Sequence, residues 1–139
     1  MNSDPKPANV KLAVPFFRVS SMEVSVPFYT EGLGFKMTHQ WIDQGKLKWC
    51  WLEIGGAAFM LQEFHKKAEG KVGVGVEICF QCEDALAIYR QLQSRGIVTQ
   101  TPFVGNGLWV TSLLDPDGYQ LSFQSPTDVP EETVLTDQP

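Results

Sequence analysis

The side chains able to do chemistry are few: two histidines, His39 and His65, three cysteines, Cys50, Cys79 and Cys82, and scattered carboxylates. Cys79 and Cys82 spell C-x-x-C, a spacing used by redox dithiols and zinc sites. A redox pair needs a helix N-terminus to lower the first thiol's pKa, whereas Cys79 falls in a strand-like run, 74–80. No second pair completes a zinc site. An odd cysteine count without a signal peptide also argues against a disulfide framework, so buried structural thiols are expected. Trp49, Trp51 and Trp109 offer rings on which a flat ligand could stack; the alternative for each is to fill core or a dimer seam.

What must position these residues is a repeat. Two helical segments end at Gly34 and Gly96, 62 residues apart, each suited to the left-handed position that closes a helix. Tight turns follow at Gly55-Gly56 and at Asp115-Pro116-Asp117-Gly118, and Gly56 and Gly118 are again 62 apart. Each unit is expected to run strand, helix, strand, then a hairpin of two more strands. The first covers 10–19, 22–33, 35–42, 46–54 and 57–63; the second covers 73–82, 84–95, 98–104, 107–115 and 119–125. Ser20-Ser21-Met22-Glu23 fits a capping box, and Pro27 should kink the first helix or delay its start. Leu86, Tyr89 and Leu92 give the second helix an apolar stripe for packing on a sheet. The chain thus divides into a polar segment, 1–9, a single domain, 10–125, and an acidic, proline-containing tail, 126–139, expected to be extended or disordered rather than core. Within the domain, modules 10–63 and 72–125 are joined by a charged linker, 64–71.

Composition narrows the function classes. Hydrophobic residues make up 43% and charged residues 19%, as in a globular domain. The net charge of −5 owes much to Asp128, Glu131, Glu132 and Asp137 in the tail; 16 acids less these four leave 12 against 11 Lys and Arg. The body is near neutral and has no basic patch to gather phosphates, so nucleic acid is not expected as a partner. No apolar run approaches the ~20 residues that cross a bilayer, so neither is a membrane. Residues 1–9 are polar with two prolines, unlike a signal or transit peptide, and a cytoplasmic location is expected.

Two stretches make a family resemblance specific. "VSSMEVSVPFYTEGLGF" (19–35) resembles the first-helix signature of the glyoxalase/bleomycin-resistance/dioxygenase (vicinal oxygen chelate) superfamily, with matches at Val19, Ser25, Phe28, Tyr29, Leu33, Gly34 and Phe35. Ser21 stands where the signature usually has Asp. "LLDPDGYQLSF" (113–123) is similar to the superfamily's last hairpin, and the resemblance extends over roughly 10–125. It implies an α+β fold of two βαβββ modules forming a curved mixed sheet around a cleft, commonly in a homodimer. Many members hold a divalent metal there through His or Gln, Glu, His or Glu, and Glu. The matching positions here are Val14, Met60, Glu77 and Ser122. Only Glu77 suits such a metal, because valine cannot coordinate, a thioether prefers soft copper and a neutral hydroxyl is weak. Their neighbours Pro15, Phe59, Leu61, Leu121 and Phe123 are no better, and His39 and His65 fall elsewhere. No metal and no cofactor is therefore expected, the alternative being an unusual site built from Glu77, Glu53 or His65.

Strand alternation from those positions gives the cleft lining. Val14, Phe16 and Arg18 share a side, as do Glu77, Cys79 and Gln81. A two-residue turn at Gly55-Gly56 sets Trp49, Trp51 and Glu53 beside Ala58, Met60 and Gln62. By the repeat, Trp109, Thr111 and Leu113 should face Gln120, Ser122 and Gln124. The resemblance puts Arg18 where glyoxalase I enzymes carry an arginine for the substrate's anionic end, and a guanidinium fork suits a carboxylate. Alternatively, Arg18 pairs with Glu77 across the units or reaches solvent. The expected ligand-binding set is Phe16, Arg18, Trp49, Trp51, Met60, Glu77, Trp109 and Ser122. The first functional expectation is a metal-free protein that binds an aromatic or amphipathic small molecule, similar to the bleomycin-resistance branch. The second is a metalloenzyme of glyoxalase, epimerase, lyase or dioxygenase type with non-standard ligands, using Glu77 as catalytic base. The third is a regulatory subunit that uses the cleft for a protein partner or effector.

Overall fold

A computed structural model describes residues 8–64, 66 and 70–136; His65, much of the linker and the ends of the chain lie outside them. Alternation is clearest in the first hairpin. Strand β3 (Lys46–Ile54) buries Cys50 and Leu52, β4 (Ala57–Glu63) buries Phe59 and Leu61, and the residues between them point the other way. Gly55 and Gly56 close the pair as a two-residue turn, and the register follows: Trp51 opposes Met60 and Trp49 opposes Gln62, as expected. Strand β1 (Phe16–Val19) runs parallel to β4, and β2 (Lys36–Asp43) runs antiparallel to β3, giving the order β1-β4-β3-β2.

The second unit repeats this topology. Strands β5 (Glu77–Gln81), β6 (Phe103–Gly105), β7 (Leu108–Leu114) and β8 (Gln120–Pro126) lie in the order β5-β8-β7-β6, with β5 parallel to β8. The architecture is the expected α+β arrangement of two βαβββ modules. The helices are α1 (Met22–Pro27) and α2 (Ala85–Ser94). Gly34 and Gly96 follow them at φ 87° and 74°, the left-handed closing position.

Local chemistry explains where the elements depart from expectation. Pro27 ends the α-helical turns, and the chain continues as a π-helical segment, 28–32, in which the Leu33 N–H bonds to the Phe28 carbonyl at 3.1 Å. The N-cap is Ser21, which accepts from the Val24 N–H, because Ser20 is engaged by Asp117 of the other module. Glu63 takes the Met22 N–H in place of a capping-box glutamate and pairs with Lys46 at 2.7 Å. Pro102 precedes β6, which is only three residues long. The tail then lies along β6: Val104 N–H bonds to Thr133 O, Glu132 N–H to Val104 O and Leu135 N–H to Pro102 O, all at 2.8–2.9 Å. The tail thus turns at Glu131-Glu132, with Glu132 at φ 66°, and docks through 132–135, covering an edge that would otherwise stand open.

One apolar core joins the modules. Phe17 stacks on Tyr119 at 4.0 Å, and Phe35 meets Phe80 edge-on at 5.9 Å. Polar contacts cross the same seam: Tyr29 donates to buried Asp115 at 2.6 Å, Tyr119 donates to Arg18 O, and Arg95 donates to Gly32 O. Among the described residues, no helix is long and apolar enough to cross a membrane.

Candidate functional site

One face of each sheet is turned to the core; the other is open on the first sheet, whereas on the second Val110, Ser112 and the expected site residue Ser122 are buried, with Glu77, Cys79 and Gln81 of β5 exposed. On the first sheet, the register draws its side chains into two cross-strand rows. One runs Phe16, Met60, Trp51, His39; the other runs Arg18, Gln62, Trp49, Trp41. Neighbouring strands are ~4.8 Å apart, so each row is a continuous surface of contact. Phe16 is 41% exposed and Trp41 53% exposed, while Trp49, Trp51 and Met60 are half-buried. The structure therefore brings Phe16, Arg18, Trp49, Trp51 and Met60 together. It adds His39 and Trp41, which the alternation drawn along the other strands did not include; the irregularity between Met37 and His39 shifts the pairing of β2 and brings both to this face.

Several of these groups are held in place. The Trp51 indole N–H donates to Glu53 at 2.7 Å, and Thr38 donates to the same carboxylate oxygen at 3.1 Å. The His39 ring stands edge-on to Trp51 at 6.1 Å. Arg18 does not pair with Glu77: its guanidinium lies 4.8 Å over the Phe16 ring, leaving its fork free for an anionic group.

The second sheet's free face has a different chemistry. Glu77 accepts from Ser122 at 2.6 Å and from Gln120 at 3.2 Å, and the Ser122 and Ser112 hydroxyls bond to each other at 2.7 Å. Gln81 and Gln124 bond amide to amide beside Cys79. Cys79 is exposed on the edge strand, contrary to the expectation of a buried thiol; partial burial and Glu77 both push its pKa up, so it favours the neutral thiol. Cys50 is the buried thiol, pushed up to about 11 by loss of solvent. The free-face and core-face residues of this sheet are also shifted from expectation on β7. Trp109 opposes Ser125, and Thr111 on the same face donates to the Ala85 carbonyl of α2, so Trp109, Thr111 and Leu113 lie on the helix side. Val110, Ser112 and Leu114 take the places expected of them. The cause is loop length. The first hairpin spans two residues between Ile54 and Ala57, the second five between Leu114 and Gln120. The glycine repeat keeps β8 in step with β4 but puts β7 one residue out of step with β3, and a one-residue slip exchanges faces.

The positions that the family uses for a metal do not fit one here. Met60 brings a thioether into the aromatic row, and Glu77 is taken up with Ser122 and Gln120. Among the described residues, no group of three or more His, Cys, Asp and Glu lies together.

Comparison with known proteins gives this geometry its context. The sequence profile of the Glyoxalase/Bleomycin resistance protein/Dioxygenase superfamily matches residues 11–123. No curated protein sequence matches significantly. Among solved structures, an antibiotic-binding protein from a Streptomyces species is 22% identical, with 87% of this chain and 100% of that one covered at a TM-score of 0.66. A glyoxalase family protein from Enterococcus faecalis is 20% identical, covering 82% and 96% at 0.68. An integron cassette protein from Vibrio cholerae is 20% identical, covering 86% and 98% at 0.62. With a profile match across nearly the whole folded body, and the same fold in these structures, the chain belongs to the Glyoxalase/Bleomycin resistance protein/Dioxygenase superfamily.

Proposed function

We propose that this protein binds a small aromatic or amphipathic molecule against the free face of the first sheet and does so without the usual divalent metal. The observation that carries the reading is the paired rows of Phe16, Met60 and Trp51 beside Arg18, Gln62 and Trp49, with the Trp51 ring fixed by Glu53. Rigid aromatic side chains lose little entropy when a flat ligand stacks on them, and Arg18 supplies a counter-charge for a carboxylate at the row's end. Exposed Glu77 on the second sheet supplies a polar partner for the ligand's other side, with buried Ser122 holding its carboxylate from behind. That the antibiotic-binding Streptomyces protein shares the fold is consistent with such a role. A homodimer in the cytoplasm belongs to the same reading: β2 leaves Trp41 and Ile42 exposed at an edge, where β6 has the tail.

The test is quenching of tryptophan fluorescence by 2-naphthoate and by neutral 2-naphthamide, with zinc, nickel, manganese and iron(II) each tried in thermal melts. Saturable quenching is expected. Trp51→Ala should weaken both probes about tenfold or more, and Arg18→Gln only the carboxylate. Trp109→Phe should leave both affinities unchanged. Absence of saturable binding, or equal losses from the Trp51 and Trp109 variants, would reject the site; a melt raised by one stoichiometric metal would reject the metal-free part.

A further inference from the structure

The two hairpin tips stand in repeat-related positions but meet the opposite module differently. The second tip, Asp115–Tyr119, fills its place beside the end of β1: Asp117 accepts from the Ser20 N–H and hydroxyl, and Tyr119 bonds to Arg18 O. The first tip is only Gly55 and Gly56, and a Cβ added to either would meet nothing within 4 Å. Beside it, at the end of β5, is a cavity of about 440 Å³. By the strand register Gln81 is the counterpart of Arg18, and by the repeat Ala57 is the counterpart of Tyr119; both line it. The space is therefore what a short, side-chain-free tip leaves where its longer counterpart makes hydrogen bonds.

The lining states what could enter. Ile54, Ala57 and Ile88 form its aliphatic walls, and Phe80 and Phe123, stacked at 5.0 Å, form its inner side. Among the described residues no charged side chain lines it, and the amide of Gln81 is already bonded to Gln124. A charged ligand would lose its hydration with no counter-ion in return, whereas a neutral ring would gain contact with the phenylalanines and with the polarisable sulfurs of Cys79 and Cys82. The volume falls within the roughly 300–1,000 Å³ of small-molecule sites. We propose that this cavity between the Gly55-Gly56 tip and the end of β5 is a second binding site, for a small, neutral, aromatic molecule. It shares no residue with the rows around Trp51, so it stands whether or not the first sheet binds a ligand.

The probe is N-phenyl-1-naphthylamine, neutral and fluorescent only when removed from water. Occupation of the cavity, told apart from any binding at the Trp51 rows by its effect on the neighbouring thiol, should saturate and slow carboxamidomethylation of Cys82 by iodoacetamide at least severalfold, read by peptide mass spectrometry on the whole protein. Ala57→Leu and Ile88→Phe, which fill the space, should each raise the probe concentration that half-protects Cys82 about tenfold or more, while Trp51→Ala leaves that concentration unchanged. The thiol measurement needs no variant, so it decides even if a filled cavity misfolds. The proposal is overturned if Cys82 reacts at the same rate with and without the probe, if its protection does not saturate, or if Trp51→Ala abolishes a protection that both filling variants retain.

Discussion

The two modules have one topology and two characters. The first sheet shows an aromatic free face, a glycine tip that touches little, and an edge at β2 carrying exposed Trp41 and Ile42. The second shows amides and hydroxyls on its free face, a tip anchored across the seam, and an edge at β6 covered by the tail. What the repeat preserves is the core side of each strand, where the pair Phe17 and Leu61 in one module answers Phe80 and Phe123 in the other. Packing against neighbours constrains those positions, whereas a free face can change without loss of fold. The contrast follows: the second module's tip fastens the pair, and the surface proposed for a ligand lies on the first.

Removing the fastening should have the largest effect. Asp115 accepts from the buried Tyr29 hydroxyl and from the Asp117 and Tyr119 N–H groups. Asp115→Ala leaves those donors without a partner, and a loss of about 3 kcal/mol or more is expected in urea unfolding. The contrasting change is Glu53→Ala, whose partners Trp51 and Thr38 stand near solvent; it should cost within about 1 kcal/mol while weakening 2-naphthoate binding. Equal costs for the two would erase the distinction between a structural and a functional module.

A smaller effect separates the glycines that revealed the repeat. Gly118 sits at φ 88°, and an added Cβ would come 3.2 Å from Lys71 Cβ and 3.4 Å from Val74. Gly118→Ala should destabilise by about 1–2 kcal/mol. Gly56 needs no left-handed backbone and has open space around it, so Gly56→Ala should fall within about 0.5 kcal/mol of the parent. Calorimetric melts of the two variants compare the tips directly.

How far the sequence was legible tracks how local each determinant is. The alternation of Trp49, Cys50, Trp51 and Leu52 and the two-residue turn after Ile54 specify the β3–β4 register between them, and both are visible in the chain. The face of Trp109 depended on a five-residue loop being longer than its repeat counterpart, a difference that the 62-residue glycine spacing conceals. Ser20 had the composition of a cap but was claimed by Asp117, 97 residues away, a tertiary competition with no local mark. The docking of the tail on β6 rests on backbone hydrogen bonds, the Phe103–Val134 bridge and the Glu131 carboxylate, which accepts from the Asn106 and Gly107 N–H groups, and these leave almost no hydrophobic pattern to read. His39 and Trp41 joined the site through the irregularity that follows Met37.

The finest contrast is in acid titration. Burial raises the Asp115 carboxyl above the usual range, although Tyr29 and two N–H groups favour its ionised form. Glu63 moves the other way: partial burial would raise it, but Lys46 and the Met22 N–H outweigh that and hold it below the usual range. For Asp115, the proton is bound more tightly in the folded state, so its contribution is complete below the ordinary carboxylate pKa, about 3.9, and is lost as pH rises through the raised folded value. For Glu63, the contribution is present above about 4.3 and is lost as pH falls through the lowered folded value. Unfolding free energies of Asp115→Asn and Glu63→Gln, each measured against the parent from pH 3 to 7, should therefore diverge in sign. The deficit of Glu63→Gln should widen as pH rises, and that of Asp115→Asn should narrow. Parallel slopes would mean that the seam does not desolvate Asp115, and that the second module's tip is hydrated rather than sealed against the first.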